Sequence, residues 1–313
     1  MQKYNMRRLK ADQGGFTLLE LLVVITLIAT LATAALVAYE GLGDSAQATA
    51  ASSSTATADG AIRNYRAVTQ RYPDQWDNLV VGSGASVGTA PAFMASATAA
   101  RFANWAVPAS TTGFGGALNT ALNAVGITTL QQRAVGTTTA GIEPNLQHNE
   151  GAVNQVSPGD VTEDNIGSVT NVAILPPYGD GAACTVTDGT IPATKLNSAA
   201  IGANDGRRQN VINDALEDDQ CNLVIALGFG HDAAHSTSNS SVAISTAPTY
   251  VSQAINPATS YARYIALFHV AQDTDEDGNI DVGDVFPKAR LLAVLDTEGR
   301  VIDENIAAQN PSN

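Results

Sequence analysis

Residues 273–284 read Asp273-Thr274-Asp275-Glu276-Asp277-Gly278-Asn279-Ile280-Asp281-Val282-Gly283-Asp284. Side-chain oxygens fall at the first, third and fifth positions, with a glycine at the sixth. That spacing suits a hard cation held by oxygen ligands, and it points to Ca²⁺ as cofactor. Asp273, Asp275 and Asp277 supply carboxylates, and Asn279 offers its main-chain carbonyl. Asp281 binds directly or through water, and Asp284 stands at the twelfth position, where loops of this type usually carry a bidentate glutamate. Asp284 therefore reaches less far. Gly278 permits the sharp turn and Ile280 anchors the loop to the core. So many carboxylates in a dozen residues repel one another unless a cation neutralises them. The segment before the loop alternates like a strand and Pro287 follows soon after, so the loop is expected between strands rather than between paired helices.

Cys184 and Cys221 are the two cysteines of the 313-residue chain. They are too few for a thiolate zinc site or a disulfide-dense scaffold. One disulfide, closing a loop of about 37 residues, is the expected pairing in an oxidising compartment; two buried free thiols are the alternative. His231 and His235 lie four apart but lack the glutamate of a zinc-protease helix, so they read as loop histidines. Glu217-Asp218-Asp219 reads as a solvated acidic face, and Asn239-Ser240-Ser241 fits a glycosylation triplet. No nucleophile elbow, phosphate loop or cofactor fingerprint is present, so no enzymatic activity is expected.

The elements that position these groups begin with an asymmetric N-terminus. Overall, 30 acidic residues against 16 basic ones give a net charge of -14, which argues against a nucleic-acid groove. Residues 1–15 run the other way, with Lys3, Arg7, Arg8 and Lys10 against Asp12. Phe16 to Tyr39 follow as an apolar run of about 24 residues, long enough to cross a bilayer as a helix. Its one charge is Glu20. Basic residues before the span place the N-terminus in the cytoplasm and the acidic bulk outside. A carboxylate near the start of such a span costs about 2.5 to 3.5 kcal/mol, so Glu20 is expected to have a dedicated partner.

Gly15-Phe16-Thr17-Leu18-Leu19-Glu20, followed by LLVVITLIATLATAAL, resembles the prepilin signature of type IV pilins and type II secretion pseudopilins. The resemblance implies a prepilin peptidase that cuts between Gly15 and Phe16 and methylates the new amino group of Phe16. It also implies that Glu20 supports assembly by meeting the Phe16 ammonium of a neighbouring subunit.

Beyond the span, residues 40–71 continue as an alanine-rich helix with a weak stripe through Ala46, Ala50 and Ala58, firmer at Ala61, Ile62, Tyr65 and Val68. Gly41 and Gly43 mark either a bend or a tolerated weak spot. Tyr72-Pro73, followed by Trp76 and Leu79, closes the helix and resembles the helix exit of pseudopilins. Residues 72–170 are rich in Gly, Ala, Ser and Thr. They hold one helical stripe at Leu118, Leu122 and Val125 ending near Gly126, with Phe93, Met94, Phe102 and Trp105 as core contacts under loop. In residues 171–313, strands are expected at 222–228, 261–271 and 289–296, with an edge strand at 172–175 before Pro176 and a last strand around Val301. The expected fold is α+β, a long N-terminal helix packed on an antiparallel sheet head with the calcium loop between C-terminal strands. The organisation is a cleaved basic leader (1–15), a transmembrane and assembly helix (16–39), its amphipathic continuation (40–71) and one enlarged extracytoplasmic head (72–313).

The chain is thus expected to be a structural subunit of a type IV pilus-like or type II secretion pseudopilus filament, with a head stabilised by Ca²⁺. Its expected partners are prepilin peptidase, like or related pilin subunits, an inner-membrane assembly platform and membrane lipid before assembly. Its expected place is the cytoplasmic membrane and then an extracytoplasmic filament. The alternatives are a non-polymerising membrane-anchored calcium-dependent binding protein and a filament-tip adhesin.

Overall fold

The computed structural model of the protein describes residues 17–80, 94–108, 112–133, 161–176, 184–186, 189–190, 216, 221–229, 255, 261 and 263–307. The chain divides into two compact units, Met1–Ala46 and Gln47–Asn313. Helix α1 spans Leu18–Thr69. In the first unit, its side chains from Leu18 to Leu36 are exposed all round, the pattern of a helix whose proper surroundings are apolar rather than aqueous. Gly41 and Gly43 are both helical.

In the second unit, Ala51, Thr55, Ala58 and Ile62 are the buried residues that recur along one face of α1, and the Thr55 hydroxyl donates to the Ala51 carbonyl at 2.8 Å. Ala58, Ala61 and Ile62 of the expected stripe are buried, whereas Ala46, Ala50 and Val68 are exposed and Ala51 and Thr55 carry the buried face instead. With alanine on most faces, periodicity carries little contrast, and packing partners choose the buried face. The helix ends at Thr69, before the proline, where Gln70 turns left-handed at φ 61° and its N–H donates to the Arg66 carbonyl at 2.8 Å.

The strands are β1 (Trp76–Asn78), β2 (Ala103–Ala106), β3 (Thr129–Arg133), β4 (Val161–Asn165), β5 (Asn171–Leu175), β6 (Thr185–Val186), β7 (Gly189–Thr190), β8 (Asn222–Phe229), β9 (Tyr264–Gln272), β10 (Asn279–Ile280) and β11 (Val285–Leu295). Among the described residues, three α-helices accompany them: α2 (Ser96–Ala99), α3 (Gly113–Asn123) and α4 (Ile302–Ala307). Among the described residues, the main sheet runs β11-β9-β8-β1-β3-β4, and β5 and β2 extend from the side of β8 that β1 also occupies. The α+β class is as expected, but the sheet is mixed rather than antiparallel, because β1 pairs parallel with β3. Helix α3 lies between those strands in the chain, and a crossover of that kind is what a parallel pair requires.

Strands β8 and β9 bury both faces. Leu223, Ile225, Leu227, Tyr264, Ala266 and Phe268 join one core with Ile62 of α1, Trp76 and α3. Val224, Ala226, Ile265 and Leu267 join a second core with Leu79, Met94, Phe102 and Val301. Two-sided burial explains why these segments read as nearly unbroken apolar runs. Trp76 anchors the first core, edge-on to Phe229 and Phe268 at 5.3 and 5.1 Å. Its indole N–H is satisfied by the Pro73 carbonyl at 2.6 Å.

Three further expectations are corrected. The segment at 172–175 is interior, since β5 pairs with both β2 and β8. Residues 81–160, read largely as loop, contribute β2 and β3 to the same sheet. Val301 leads into α4 instead of a strand: its N–H donates to Glu304 at 3.0 Å, and Asn305 donates to the Asp296 carboxylate at 2.9 Å. Met94, Phe102 and Trp105 are buried as expected, while Phe93 lies outside the described residues. Helix α3 buries Leu118 and Leu122, and Gly126 follows it at φ 94°.

Gly228 on β8 makes room for a buried polar contact. A Cβ there would sit 2.0 Å from the Tyr261 hydroxyl and 2.9 Å from Leu79, and that hydroxyl donates to Asp77 at 2.6 Å. Gly228→Ala is therefore expected to expel Tyr261 and strand the Asp77 carboxylate, destabilising the fold by about 2 to 4 kcal/mol in denaturant unfolding. A change under about 0.5 kcal/mol would contradict this packing.

Candidate functional site

At the start of α1, Thr17 and Glu20 cap the helix reciprocally. The Thr17 N–H and hydroxyl donate to Glu20 Oε2 at 2.9 and 3.0 Å, and the Glu20 N–H donates to the Thr17 hydroxyl at 3.2 Å. Leu18–Leu36 is long and apolar enough to cross a membrane, the one such helix among the described residues. Its threonines keep their hydroxyls within the helix: Thr26 donates to the Val23 carbonyl and Thr30 to that of Leu27, each at 2.9 Å. No hydroxyl of these two is left facing lipid unsatisfied. Gly15 and Phe16 lie outside the described residues.

The acidic loop joins β9 to β11. Carboxylate oxygens of Asp273, Asp275 and Asp277 all lie within 4.8 Å of one another. Asp273 is buried, and it shapes the turn by accepting the Glu276 N–H at 2.9 Å and the Gly278 N–H at 2.8 Å. Glu276 and Gly278 are both left-handed, at φ 60° and 80°, a conformation that glycine adopts without steric cost. Asp275 and Asp277 are exposed. Repulsion from Asp277 is the main cause that pushes the Asp275 carboxyl above its ordinary value.

The second half of the loop is held differently. Asp284 is buried and accepts the Thr274 N–H and hydroxyl at 3.1 and 2.7 Å and the Asp281 N–H at 3.0 Å. Asp281 accepts the Gly283 N–H, so the two aspartates form a capping box on the short 3-10 turn Val282–Asp284. Asn279 offers its side-chain oxygen to the Thr185 hydroxyl at 3.0 Å, and Ile280 is fully buried. Asp273, Asp275 and Asp277 thus converge through side chains, while Asp281 and Asp284 support the backbone. The donor set is oxygen only, with three carboxylates, which fits a hard divalent cation.

Cys184 and Cys221 are joined by a disulfide across a sequence separation of 37, and both are buried. Immediately after Cys184, β6 pairs parallel with β10 inside the acidic loop and antiparallel with β7. Neither strand is visible in the sequence, because two-residue pairings have no periodicity to read. His231, His235, Glu217-Asp218-Asp219 and Asn239-Ser240-Ser241 lie outside the described residues.

A buried polar cluster escapes sequence reading altogether. Asp77 accepts from Tyr261 and from Arg263, the latter at 3.4 Å. Asp77 lies more than 180 positions from either partner, so no linear spacing announces the cluster. Burial pushes Asp77 up to about 6 against the opposing pull of Arg263 and the Tyr261 hydrogen bond. Near the loop, burial and then the Arg290 charge push His269 down to about 4, opposed by a hydrogen bond to the Ala271 backbone. His269 packs edge-on against Phe286 at 4.7 Å.

The two groups drive stability in opposite directions. His269 contributes fully above pH 6.5 and loses that contribution as pH falls toward 4. Asp77 contributes fully below pH 3.8 and loses its contribution as pH rises toward 6. Each swing amounts to about 3 kcal/mol. Asp77→Asn is expected to make unfolding more acid-sensitive than in the wild type between pH 6 and 4, and His269→Gln less so. Unfolding curves of wild type and variants that stay parallel across that interval would overturn the assignment.

Among known proteins, the family model for the prokaryotic N-terminal methylation motif matches residues 10–36. No curated protein and no solved structure matches the chain. The match spans the end of the basic leader, the Thr17–Glu20 cap and the apolar helix, and on that motif the chain is similar to prepilins of the type IV pilin and pseudopilin kind.

Proposed function

We propose that the protein is a structural subunit of a type IV pilus-like or type II secretion pseudopilus filament, cut between Gly15 and Phe16 and methylated on Phe16. The observation that carries this reading is the N-terminal methylation motif over residues 10–36, which implies processing by prepilin peptidase and assembly with pilin subunits. Before assembly the apolar helix anchors the chain in the cytoplasmic membrane, with residues 1–15 inside and residues 72–313 outside, following the basic leader. In the filament, Glu20 meets the amino group of a neighbouring Phe16, since two buried charges become tolerable when each has the other.

The head takes Ca²⁺ in the 273–284 loop. Asp273, Asp275, Asp277 and the Asn279 carbonyl would hold the ion, and it would supply the positive charge that three converging carboxylates lack. Asp281 and Asp284 keep the loop's second half in place through the capping box. The role is mechanical: a closed loop fixes β9 and β11, the strands it connects, relative to each other.

Intact-mass measurement of the subunit from its native membrane tests the processing step. A chain starting at methylated Phe16 is expected; retention of Met1 to Gly15 would favour a non-polymerising anchor.

A further inference from the structure

The disulfide and the acidic loop are physically one assembly. Cys221 accepts the Asp273 N–H on its carbonyl at 2.8 Å, so the residue that opens the loop is tied to the bridge itself. On the other side of the bridge, the Thr185 N–H donates to the Gly278 carbonyl at 3.0 Å, and the Thr185 hydroxyl reaches Asn279 Oδ1 at 3.0 Å. Cys221 Sγ lies 4.0 Å from the same Gly278 carbonyl. Asp273 and Gly278, which bracket the sharp turn, are therefore both held by residues that the bridge brings together.

Among the described residues, the segment carrying β6 is held by short strand pairings and by the burial of Cys184 and Val186 in the first core. Strand β6 is two residues long and pairs with two-residue strands on both sides, and such short pairings are marginal without a tether. The Cys184–Cys221 bridge supplies that tether by removing chain entropy that the open segment would otherwise retain.

We propose that Cys184 and Cys221 are positioning residues for the acidic loop, so that the loop reaches its turn geometry only after the bridge has formed, and bridge and cation affinity are coupled. Its cation arm rests on the calcium reading above. Bridge formation takes two protons and two electrons from the two thiols and passes them to a disulfide-bearing oxidant, which leaves as a dithiol. The coupling is reciprocal, because any gain in cation affinity on oxidation equals the resistance to reduction that the cation confers. A chain still in a reducing compartment would thus carry a loop without its turn, and the finished loop belongs to the oxidised head.

The test uses the full chain in detergent, as wild type, as the double variant Cys184→Ser/Cys221→Ser, and as Thr185→Pro, which keeps the bridge but removes the N–H that binds Gly278. Hydrogen exchange at Asp273 and Thr185 is read against Ile265 to Leu267 in β9, and calcium affinity is measured by calorimetry. The double variant is expected to exchange at least 10-fold faster at Asp273 and Thr185 with β9 still protected, and to bind calcium at least 10-fold more weakly. Unchanged loop protection and unchanged calcium affinity in the double variant would overturn the proposal while leaving the calcium reading intact. If the oxidised wild type takes up no calcium, the calcium reading fails and the exchange comparison still decides whether the bridge positions the loop. Should the double variant lose protection in β9 as well, Thr185→Pro decides. In that variant, faster exchange at Asp273 with β9 protected supports the proposal, and wild-type exchange at Asp273 overturns it.

Discussion

Glu20→Ala is expected to leave the leader cleaved and the subunit in the membrane, while its recovery in sheared filaments falls by about 50-fold or more. The carboxylate sits in the first turn of a helix that is apolar and exposed from Leu18 to Leu36. In the single chain its hydrogen-bond needs are met by Thr17, from the backbone N–H and the hydroxyl. Those contacts satisfy the oxygen without cancelling its charge, and an uncompensated charge in an apolar setting costs several kcal/mol. On the proposed reading, a neighbouring subunit's amino group would remove that penalty, and Glu20 would then drive register between subunits. A loss of about 2.4 kcal/mol per interface corresponds to a 50-fold drop at 25 °C. Glu20→Gln separates charge from capping, because the amide oxygen can still accept from Thr17. If Glu20→Gln assembles normally while Glu20→Ala does not, the cap is what matters; if both assemble normally, the pairing role is wrong.

Asp273→Ala is expected to lower the melting temperature of the head by about 10 to 20 °C. Two backbone donors, the N–H groups of Glu276 and Gly278, lose their acceptor, at about 1 to 3 kcal/mol each. On the calcium reading proposed above, the cation would be lost too. Calcium at about 10 mM, with a dissociation constant of about 10⁻⁴ to 10⁻³ M, stabilises by about 1.4 to 2.7 kcal/mol. A head of this size shifts by about 2 to 4 °C per kcal/mol, so chelation of the wild type alone should lower the midpoint by about 3 to 11 °C. Asp273→Ala should then be insensitive to chelator. Identical wild-type midpoints in calcium and in chelator would remove the cation's role, and an Asp273→Ala midpoint within 1 °C of wild type would remove that of the loop hydrogen bonds.

Readable and hidden parts of the molecule differ by physical type. The span could be read because the bilayer imposes a length and a polarity on contiguous residues. Strands β8 and β9 could be read because burial on both faces writes a continuous apolar run. On α1 the face was legible at Ala58 and Ile62 but not at Ala51 and Thr55, since small residues give almost no contrast between faces. Trp76–Asn78 could not be read as a strand either: three residues show no period, and β1 exists because β8 and β3 offer edges on either side.

The acidic loop divides along the same line. Its ligand chemistry follows from consecutive residues, and so the sequence by itself determined which oxygens are present and that a hard cation suits them. Local spacing also determined the membrane-length helix, the processing signature and the positions of the strongest strands. Only the tertiary structure decided that Asp273, Asp275 and Asp277 converge while Asp281 and Asp284 turn to backbone support. Only it decided that the Cys184–Cys221 bridge lies against the loop and that Asp77 meets Tyr261 and Arg263 in the interior. The reason is that ligand type and periodicity are properties of neighbours in the chain. Convergence and burial, in contrast, depend on pairings across tens to hundreds of residues, whose geometry is set by the sheet as a whole.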